Sequence, residues 1–172
     1  MSAREKIVEK SAELFNTYGY HGCSLSDIMK ATNLKKGGIY NHFKSKDEIA
    51  IEAFNHNYEK VIQRFKDRLS RVKSKDPIDK LNKVIDAFGS FADDPIVKGG
   101  GCPIFNTAMD STNGHPELRQ KARQGIIGLR TYINIKLEEA IDAKMLSDKI
   151  NVQEVASLDI TMAPSSVITI KE

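Results

Sequence analysis

The sequence lacks the features that mark several classes of protein. Its 172 residues include only two cysteines, which are far apart, so no disulfide framework is indicated and a cytoplasmic setting is expected. No apolar run is long enough to span a membrane, and charges interrupt residues 1–15, so neither a transmembrane helix nor a signal peptide is predicted. The remaining composition, 40% hydrophobic and 28% charged, is typical of a soluble globular chain.

The sequence also contains no catalytic constellation. The four histidines have no metal-ligand spacing with the cysteines or with one another; they are His21, His42, His56 and His115. A phosphate-binding loop and a nucleophile elbow are both missing. The sequence therefore predicts neither an enzyme nor a site for a metal or cofactor.

Acidic residues are missing from one stretch in particular. Residues 30–46 hold five lysines and no Asp or Glu. Residues 1–75 carry 15 basic and 9 acidic side chains, a balance of +6, whereas residues 76–172 carry 11 and 14, a balance of −3. A basic front half indicates a polyanionic partner, although the charges at residues 60–75 taken alone fit a solvated face equally well.

Residues 23–46 predict two short helices joined by a tight turn. Ser24 followed by Asp27 is a helix-start signature, because the serine oxygen accepts a backbone N–H that would otherwise lack a partner. The second helix is predicted over residues 35–43, and Ser45 with Glu48 opens the next one. The residues expected to face inward are Leu25, Ile28, Met29, Leu34, Ile39 and Phe43.

The outer face of the second helix is basic and carries two poor helix formers, Gly37 and Gly38. A short helix with a basic outer face fits the major groove of DNA, and the glycines suit a backbone that approaches DNA closely. The alternative to a DNA-binding helix is that this segment is a poorly formed surface turn in an ordinary helical domain.

Residues 4–54 resemble the N-terminal domain of TetR-type bacterial transcription regulators. The matching runs are REKIVEKSAELFNTYGYHGCSLSDI and LKKGGIYNHFKSKDEI. The resemblance implies an all-α fold, with a three-helix helix-turn-helix DNA-binding domain over residues 1–46 and a helical effector-binding and dimerisation domain over residues 47–172. It implies a homodimeric repressor that binds double-stranded DNA at a near-palindromic operator. A small-molecule effector of unknown identity or a thiol modification would release it.

Site residues follow from the motif and the resemblance together. Hydroxyl groups and a helix start suit phosphate contacts, which are expected at Ser24, Tyr40 and Lys46. Base edges or nearby backbone are expected to face Lys35, Lys36, Gly37, Gly38 and Asn41. His42 either contacts a phosphate or fills the helix end, and Arg4 either reaches a phosphate or is a free surface arginine.

Further helices are predicted along the rest of the chain. The first spans residues 2–18 and stops at Gly19, and the next spans residues 47–72. Another begins at residue 77 and is closed by residues 93–95, a short helix begins at Cys102, and the last spans residues 117–145. Tyr18 and Ile85 are counted among the buried apolar residues of their helices. Two small residues in the last of these helices, Gly125 and Gly128, predict a close helix crossing.

Residues 99–116 resemble a GC-x3-N-T-A motif of a TetR subgroup, some of whose members sense electrophiles or oxidants through cysteine. Cys102 is therefore either a reactive thiol with a lowered pKa at a helix N-terminus or a small buried thiol that helps the helix end to pack. A mostly apolar effector pocket is expected, with plain core as the alternative. Its expected lining is Phe88, Phe91, Cys102, Phe105, Asn106 and Met109.

The C-terminal tail departs from the resembled family, which usually continues through a further helix. Residues 155–172 read VASLDITMAPSSVITIKE, where Pro164 disfavours a helix and the end alternates as a strand does. An altered tail puts the usual dimer geometry in doubt. The alternative function is a helical ligand- or redox-sensing module whose DNA binding is impaired by this atypical C-terminus.

Overall fold

The computed structural model describes residues 1–93, 100–110 and 115–155, and within these ranges it contains α-helices and no strand. The predicted all-α fold is confirmed. The helices are α1 (Ala3–Gly22), α2 (Leu25–Thr32), α3 (Lys36–Tyr40), α4 (Lys46–Ser70), α5 (Pro77–Asp93), α6 (Pro103–Asp110) and α7 (Pro116–Asp142). The predicted Asn113–Gly114 turn and the expectations for the tail beyond residue 155 lie outside the described residues.

Helices α1 to α3 and the start of α4 enclose the first core, which we call the head. Ser2 caps α1 as the sequence of a capping box requires: its Oγ accepts from the Glu5 N–H (3.2 Å) and the Glu5 carboxylate accepts from the Ser2 N–H (2.7 Å). The buried side chains of the head are Ile7, Val8, Cys23, Ile28, Ile39, Phe43 and Ile49. Their burial fixes the position of α3 against the rest of the head.

Helix α1 is kinked at Gly19, whose φ of 73° lies in the left-handed region. A Cβ atom at this position would also collide with the carboxylate of Asp110 on α6. The kink turns Tyr20 inward onto Phe15 and leaves Tyr18 61% exposed. The expectation that Tyr18 is buried was therefore wrong, because the helix changes direction one residue after it.

Helix α4 runs without a break from the head into the rest of the molecule. Ser45 caps it by accepting the Glu48 N–H (3.1 Å), whereas the Glu48 carboxylate accepts from the Lys44 N–H (2.6 Å). The first turns of α4 complete the head, and Val61 is fully buried in a second core. Residue 46 thus marks the start of a helix shared by both cores.

The second core lies among α4, α5, α6 and α7, which together we call the back. Its buried side chains are Val61, Val84, Phe88, Phe91, Cys102, Ile104 and Phe105. Four aromatic rings meet there edge to face, including Phe65 and Phe88 with centroids 5.0 Å apart. Ile85 is 54% exposed, against expectation, because it lies at the edge of the α5 stripe centred on Val84 and Phe91.

The long helix α7 begins at His115, whose Nδ1 accepts the Leu118 N–H at 3.3 Å, with Pro116 in the first helical turn. One face of α7 buries Leu118, Ala122, Ile133 and Leu137. None of the helices in the described ranges combines the length and the apolar character needed to cross a membrane.

Candidate nucleic-acid interface and ligand cavity

The turn between α2 and α3 is built by local hydrogen bonds. Ser24 Oγ accepts the Asp27 N–H (3.2 Å) and donates to the Asp27 carboxylate (2.5 Å), so the predicted capping box is present. Asn33 ends α2 in the left-handed conformation (φ 57°), a conformation that asparagine tolerates. The Leu34 N–H then returns to the Met29 carbonyl at 3.2 Å. This turn places α3 across the surface of the head.

Helix α3 is shorter than predicted, ending at Tyr40 rather than at Phe43. The His42 N–H bonds the Ile39 carbonyl at 3.0 Å, so the chain tightens into a turn after the helix. Ile39 and Phe43 hold this segment to the core, with exposures of 0% and 1%. The outward side is left entirely polar or glycine apart from the Tyr40 ring.

Most of the residues predicted to contact DNA lie on this outward side. Those exposed to solvent are Ser24, Lys35, Lys36, Gly37, Tyr40, Asn41 and His42, and Gly38 is half-buried. In the described part of the chain, no carboxylate lies within salt-bridge distance of Lys35 or Lys36. Lys36 Nζ lies 5.7 Å from the centroid of the Tyr40 ring. This face therefore presents positive charge without internal neutralisation.

The two glycines of α3 differ in their surroundings. A Cβ atom at Gly37 would meet nothing within 4 Å, whereas one at Gly38 would lie 3.7 Å from Leu34 Cβ, an ordinary contact. Packing within the chain thus gives no reason for glycine at either position. A partner that approaches the backbone of α3 closely would give one.

Lys46 is placed differently from the expectation. Its Nζ donates to the Tyr20 carbonyl (2.6 Å) and lies 4.2 Å from the centroid of the Tyr20 ring. The side chain therefore folds back onto the end of α1, because that carbonyl is within reach of the long flexible stem. Arg4 likewise pairs with Glu52 (3.0 Å), and its guanidinium lies over the Phe43 ring, 5.0 Å from the ring centroid.

A cavity of about 280 Å³ lies within the back. Helices α4, α5, α6 and α7 all contribute to its wall. The lining residues are Tyr58, Val61, Ile62, Phe65, Leu69, Val84, Phe88, Cys102, Ile104, Phe105, Gly125, Ile126, Gly128, Leu129 and Tyr132. Three of the six residues predicted to line a pocket are among them: Phe88, Cys102 and Phe105.

The other three predicted pocket residues lie elsewhere. Phe91 is fully buried behind Phe88, with ring centroids 5.8 Å apart. Asn106 faces away from the cavity and donates to the Asn16 side chain (3.0 Å) and to the Gly100 carbonyl (3.1 Å). Met109 is 63% exposed, in the last turn of α6. On so short a helix only the face with Ile104 and Phe105 reaches the cavity.

Sequence reasoning missed the wall that α4 and α7 supply, including Tyr58, Ile126 and Tyr132. These residues belong to the apolar faces of their helices, so the sequence does not distinguish side chains that line a cavity from side chains packed in the core. Gly125 does mark a close crossing as predicted, since a Cβ there would lie 3.1 Å from both Ile104 and Tyr58. Gly128 does not: a Cβ there would meet nothing within 4 Å.

Both cysteines are buried thiols. Burial raises the pKa of Cys102 to about 11, although the Phe105 and Ile104 N–H groups at the start of α6 partly oppose this rise. Burial likewise raises the pKa of Cys23 to about 11. Burial therefore favours the interpretation of Cys102 as a small buried thiol that helps the helix end to pack, because loss of solvation outweighs the effect of the helix N-terminus.

We expect native Cys102 and Cys23 to react slowly and alike with iodoacetamide at pH 7. Burial raises the pKa of both thiols to about 11, which leaves little reactive thiolate at pH 7 before any steric protection is counted. The rate should rise steeply only above pH 9, as the thiols begin to ionise. Mass-spectrometric labelling kinetics, with the urea-unfolded chain as control, measure this; rapid labelling of Cys102 alone would restore the sensor interpretation.

A junction between head and back centres on Tyr20. Its N–H donates to the Asp110 carboxylate at the end of α6 (2.6 Å), and its hydroxyl donates to Asp47 at the start of α4. The His115 ring packs edge-on against Tyr20, with centroids 4.9 Å apart. Burial and the neighbouring Asp47 raise the pKa of Tyr20 to about 12, so the hydroxyl remains a donor. The ends of α6 and α7 therefore contact the head directly.

Comparison with known proteins identifies the class. Residues 7–53 match the family described as bacterial regulatory proteins, tetR family, and residues 77–170 match the tetracyclin repressor-like C-terminal domain. A TetR transcriptional regulator from Chloroflexus aurantiacus has a similar structure, with a TM-score of 0.89 and 38% identity over 97% of this chain and 83% of that chain. The fold and these matches define a helix-turn-helix head joined to a tetracyclin repressor-like C-terminal domain. The chain belongs to the TetR family.

Curated relatives match mainly through the head. The HTH-type transcriptional regulator LmrA of Bacillus subtilis is 39% identical over 66 residues, 38% of this chain and 35% of that protein. The biofilm operon icaADBC HTH-type negative transcriptional regulator IcaR of Staphylococcus epidermidis is 41% identical over 46 residues, 27% of this chain and 25% of that protein. The match thus spans about a third or less of the length of these relatives.

Proposed function

We propose that the protein is a cytoplasmic, non-enzymatic transcriptional repressor that binds a near-palindromic operator as a homodimer and leaves it when a small molecule binds. One observation carries the DNA-binding part: the exposed face of α3 is basic, is free of acidic partners in the described structure and bears a glycine that internal packing does not require. Family membership supports the repressor role, as does IcaR, a negative regulator by name.

The residues of the head divide into two groups by what they can contact. Lys35, Lys36, Gly37, Gly38 and Asn41 lie on or beside α3, where base edges and adjacent backbone come within reach. Ser24, Tyr40 and His42 flank them with groups that can hydrogen-bond phosphate. Lys46, at the start of α4, belongs to the second group, and its ammonium group also donates to the Tyr20 carbonyl.

Two heads in one dimer would enter successive major grooves about 34–36 Å apart. We assign the DNA-binding domain to residues 1–46 and the effector-binding and dimerisation domain to residues 47–172, with α4 connecting them. The alternative of a sensing module with impaired DNA binding depended on the tail beyond residue 155, and nothing in the described residues favours it.

The junction offers a route by which a ligand can release DNA. Ile104 and Phe105 at the start of α6 line the cavity, and Asp110 at its end accepts the Tyr20 N–H. A ligand that displaces α6 changes the contact that holds the end of α1 and, through Asp47, the start of α4. Release then requires only that the ligand binds more tightly to the arrangement in which the heads no longer match the operator spacing.

The substitution Gly37→Ala tests the DNA-binding role, because stability and binding should change in opposite directions. The added methyl group meets no atom of the chain and restricts the unfolded state, so the free energy of unfolding should rise by about 0.4–1 kcal/mol. Operator affinity should fall about tenfold or more. The methyl group would keep the α3 backbone away from DNA in both heads, and one weakened hydrogen bond in each head costs about 1–3 kcal/mol in all.

Gly89→Ala is the matched control. Gly89 is exposed on α5 and also has open space where a Cβ would lie, so this variant should gain similar stability with unchanged affinity. Thermal unfolding and fluorescence anisotropy with labelled operator measure the two properties. Equal operator affinity in the Gly37→Ala and Gly89→Ala proteins would count against DNA binding through α3.

A further inference from the structure

Among the described residues that line the cavity of the back, none could neutralise a charged ligand. Its described lining consists of aliphatic, aromatic and glycine residues together with Tyr58, Tyr132 and Cys102, and none of the lining residues is Asp, Glu, Lys, Arg, His, Asn or Gln. An ionised group moved from water into such surroundings without a partner loses several kcal/mol of solvation. A neutral molecule suffers no such loss and gains from the burial of its apolar surface.

Cations near the cavity are engaged outside it. The Arg64 guanidinium lies over the Phe91 ring, 5.5 Å from its centroid, and donates to Ser90 Oγ (3.4 Å). The Lys136 ammonium group pairs with Glu139 (2.5 Å) while lying 5.6 Å from the centroid of the Tyr132 ring. Both cations therefore already have partners, and neither Arg64 nor Lys136 is among the described lining residues of the cavity.

The size of the cavity limits the ligand. Its volume of about 280 Å³ is less than twice that of the roughly 150 Å³ apolar cavity that accepts benzene in a well-studied engineered protein. About two fused rings, or an aliphatic molecule of similar bulk, would fill it. The tyrosine hydroxyls and the thiol allow the ligand one or two hydrogen-bonding groups. Burial raises the pKa of Tyr132, so its hydroxyl stays protonated and can donate.

Gly128 is an exposed residue of the cavity wall. It lines the cavity and is at the same time exposed to solvent, and a Cβ there would meet no atom within 4 Å. Glycine within a helix costs about 1 kcal/mol relative to alanine, so a glycine that packing does not require is disadvantageous for the fold alone. Gly125, one turn earlier, is needed for the crossing with Ile104 and Tyr58 and closes the wall there.

We propose that the effector is an uncharged, predominantly apolar molecule of about two rings in size that enters the back beside Gly128. This inference names the ligand class for the effector site and so rests on the proposed function. Ligands whose ionised group must enter the cavity are disfavoured, because the described lining offers a buried charge no partner.

A matched set of naphthalene probes tests the charge selectivity. The full chain has no tryptophan, so naphthalene fluorescence can be followed without overlap from that residue. We expect 2-naphthalenemethanol to bind at least tenfold more tightly at pH 7 than 2-naphthoate or 2-naphthylmethylammonium, which share the ring system but carry opposite charges. Equal or tighter binding of either ion, or binding of none of the three, would overturn the proposal.

Two glycine variants test the entrance. Gly128→Leu places a side chain into the opening and should weaken binding of 2-naphthalenemethanol at least tenfold, whereas Gly89→Leu adds the same side chain on the exposed surface of α5 and should leave binding unchanged. Gly128→Ala, a milder change that favours the helix, should still weaken binding measurably. Unchanged binding in both Gly128 variants contradicts the assigned entrance.

These measurements are made without DNA, which separates the two claims. A chain that discriminates the three probes as expected but binds no operator would disprove the proposed repressor and leave the ligand class standing. A chain that binds operator but prefers a charged probe would disprove the ligand class and leave the proposed repressor standing.

Discussion

Replacing Lys36 by alanine is expected to weaken operator binding about 30-fold or more while leaving the stability of the fold nearly unchanged. The Lys36 side chain is exposed, and its ammonium group lies over the Tyr40 ring. A lysine that donates to a guanine edge contributes about 1–3 kcal/mol, and a dimer holds two such lysines, which together contribute about 2–6 kcal/mol. Removal of an exposed side chain of this kind changes the free energy of unfolding by about 0.5 kcal/mol or less.

The control for charge alone is Lys75→Ala. Lys75 is exposed in the connection between α4 and α5, outside the head. This variant removes the same charge, and we expect less than a twofold change in affinity. The salt dependence distinguishes the kinds of contact: removal of a phosphate contact reduces the slope of log K against log salt by about 1 per contact, whereas removal of a base contact relaxes sequence preference at one position. If both variants bind equally well, α3 is not the recognition element.

Replacing Phe43 by alanine is expected to lower the free energy of unfolding by about 3–5 kcal/mol. Phe43 is 1% exposed and packs with Ile39 and Ile49 beneath the end of α3, so its removal leaves a cavity that its helical neighbours cannot fill. A loss of this size is a large part of the roughly 5–15 kcal/mol that stabilises a typical domain. The head should consequently unfold at much lower urea concentration, and operator binding should disappear with it.

Tyr40→Ala is the paired variant, three residues earlier. Tyr40 is 44% exposed on the opposite side of the segment, so its removal should change stability by about 0.5 kcal/mol or less and still weaken DNA binding. Urea unfolding followed by circular dichroism gives both values. A Phe43→Ala protein as stable as Tyr40→Ala would show that the core of the head is assigned incorrectly.

The head is predictable because its structure is set by residues close together in sequence. The cap formed by Ser24 and Asp27, the spacing of Ile28 and Ile39, and the second cap at Ser45 each act over a few residues. Local signals of this kind can be read from a single sequence. The predicted stop at Gly19 matches a break in the helix, because the backbone of Gly19 is not helical, but a further short helical segment follows up to Gly22.

The cavity is predictable only in part, because its wall is assembled from four helices that are distant in sequence. Phe88 and Phe105 belong to it, but Phe91, on the same stripe as Phe88, is buried behind it. The sequence suggests that Asn106 lines the pocket, whereas in the structure its side chain hydrogen-bonds the Asn16 side chain and the Gly100 carbonyl. Which side of a short helix faces a void depends on how that helix is docked, and no periodicity encodes this.

The interactions of Lys46 and Cys102 show a similar limit. The position of Lys46 at a helix start favours a phosphate contact, and the position of Cys102 at a helix start favours a lowered pKa of its thiol. In the structure, the Tyr20 carbonyl binds the Lys46 ammonium group, and burial raises the pKa of the Cys102 thiol to about 11. Both interactions depend on neighbours from other helices, which the local sequence does not indicate.

The most direct test of the account is the ratio of two affinities measured at the same salt concentration. One duplex comes from the DNA upstream of the protein's own coding sequence, and the other contains the same bases in shuffled order. Specific regulators bind their sites about 10³-fold or more tightly than other DNA. We predict a ratio of at least about 10³. Equal affinity for the two duplexes would contradict the assignment of α3 as an element that recognises an operator.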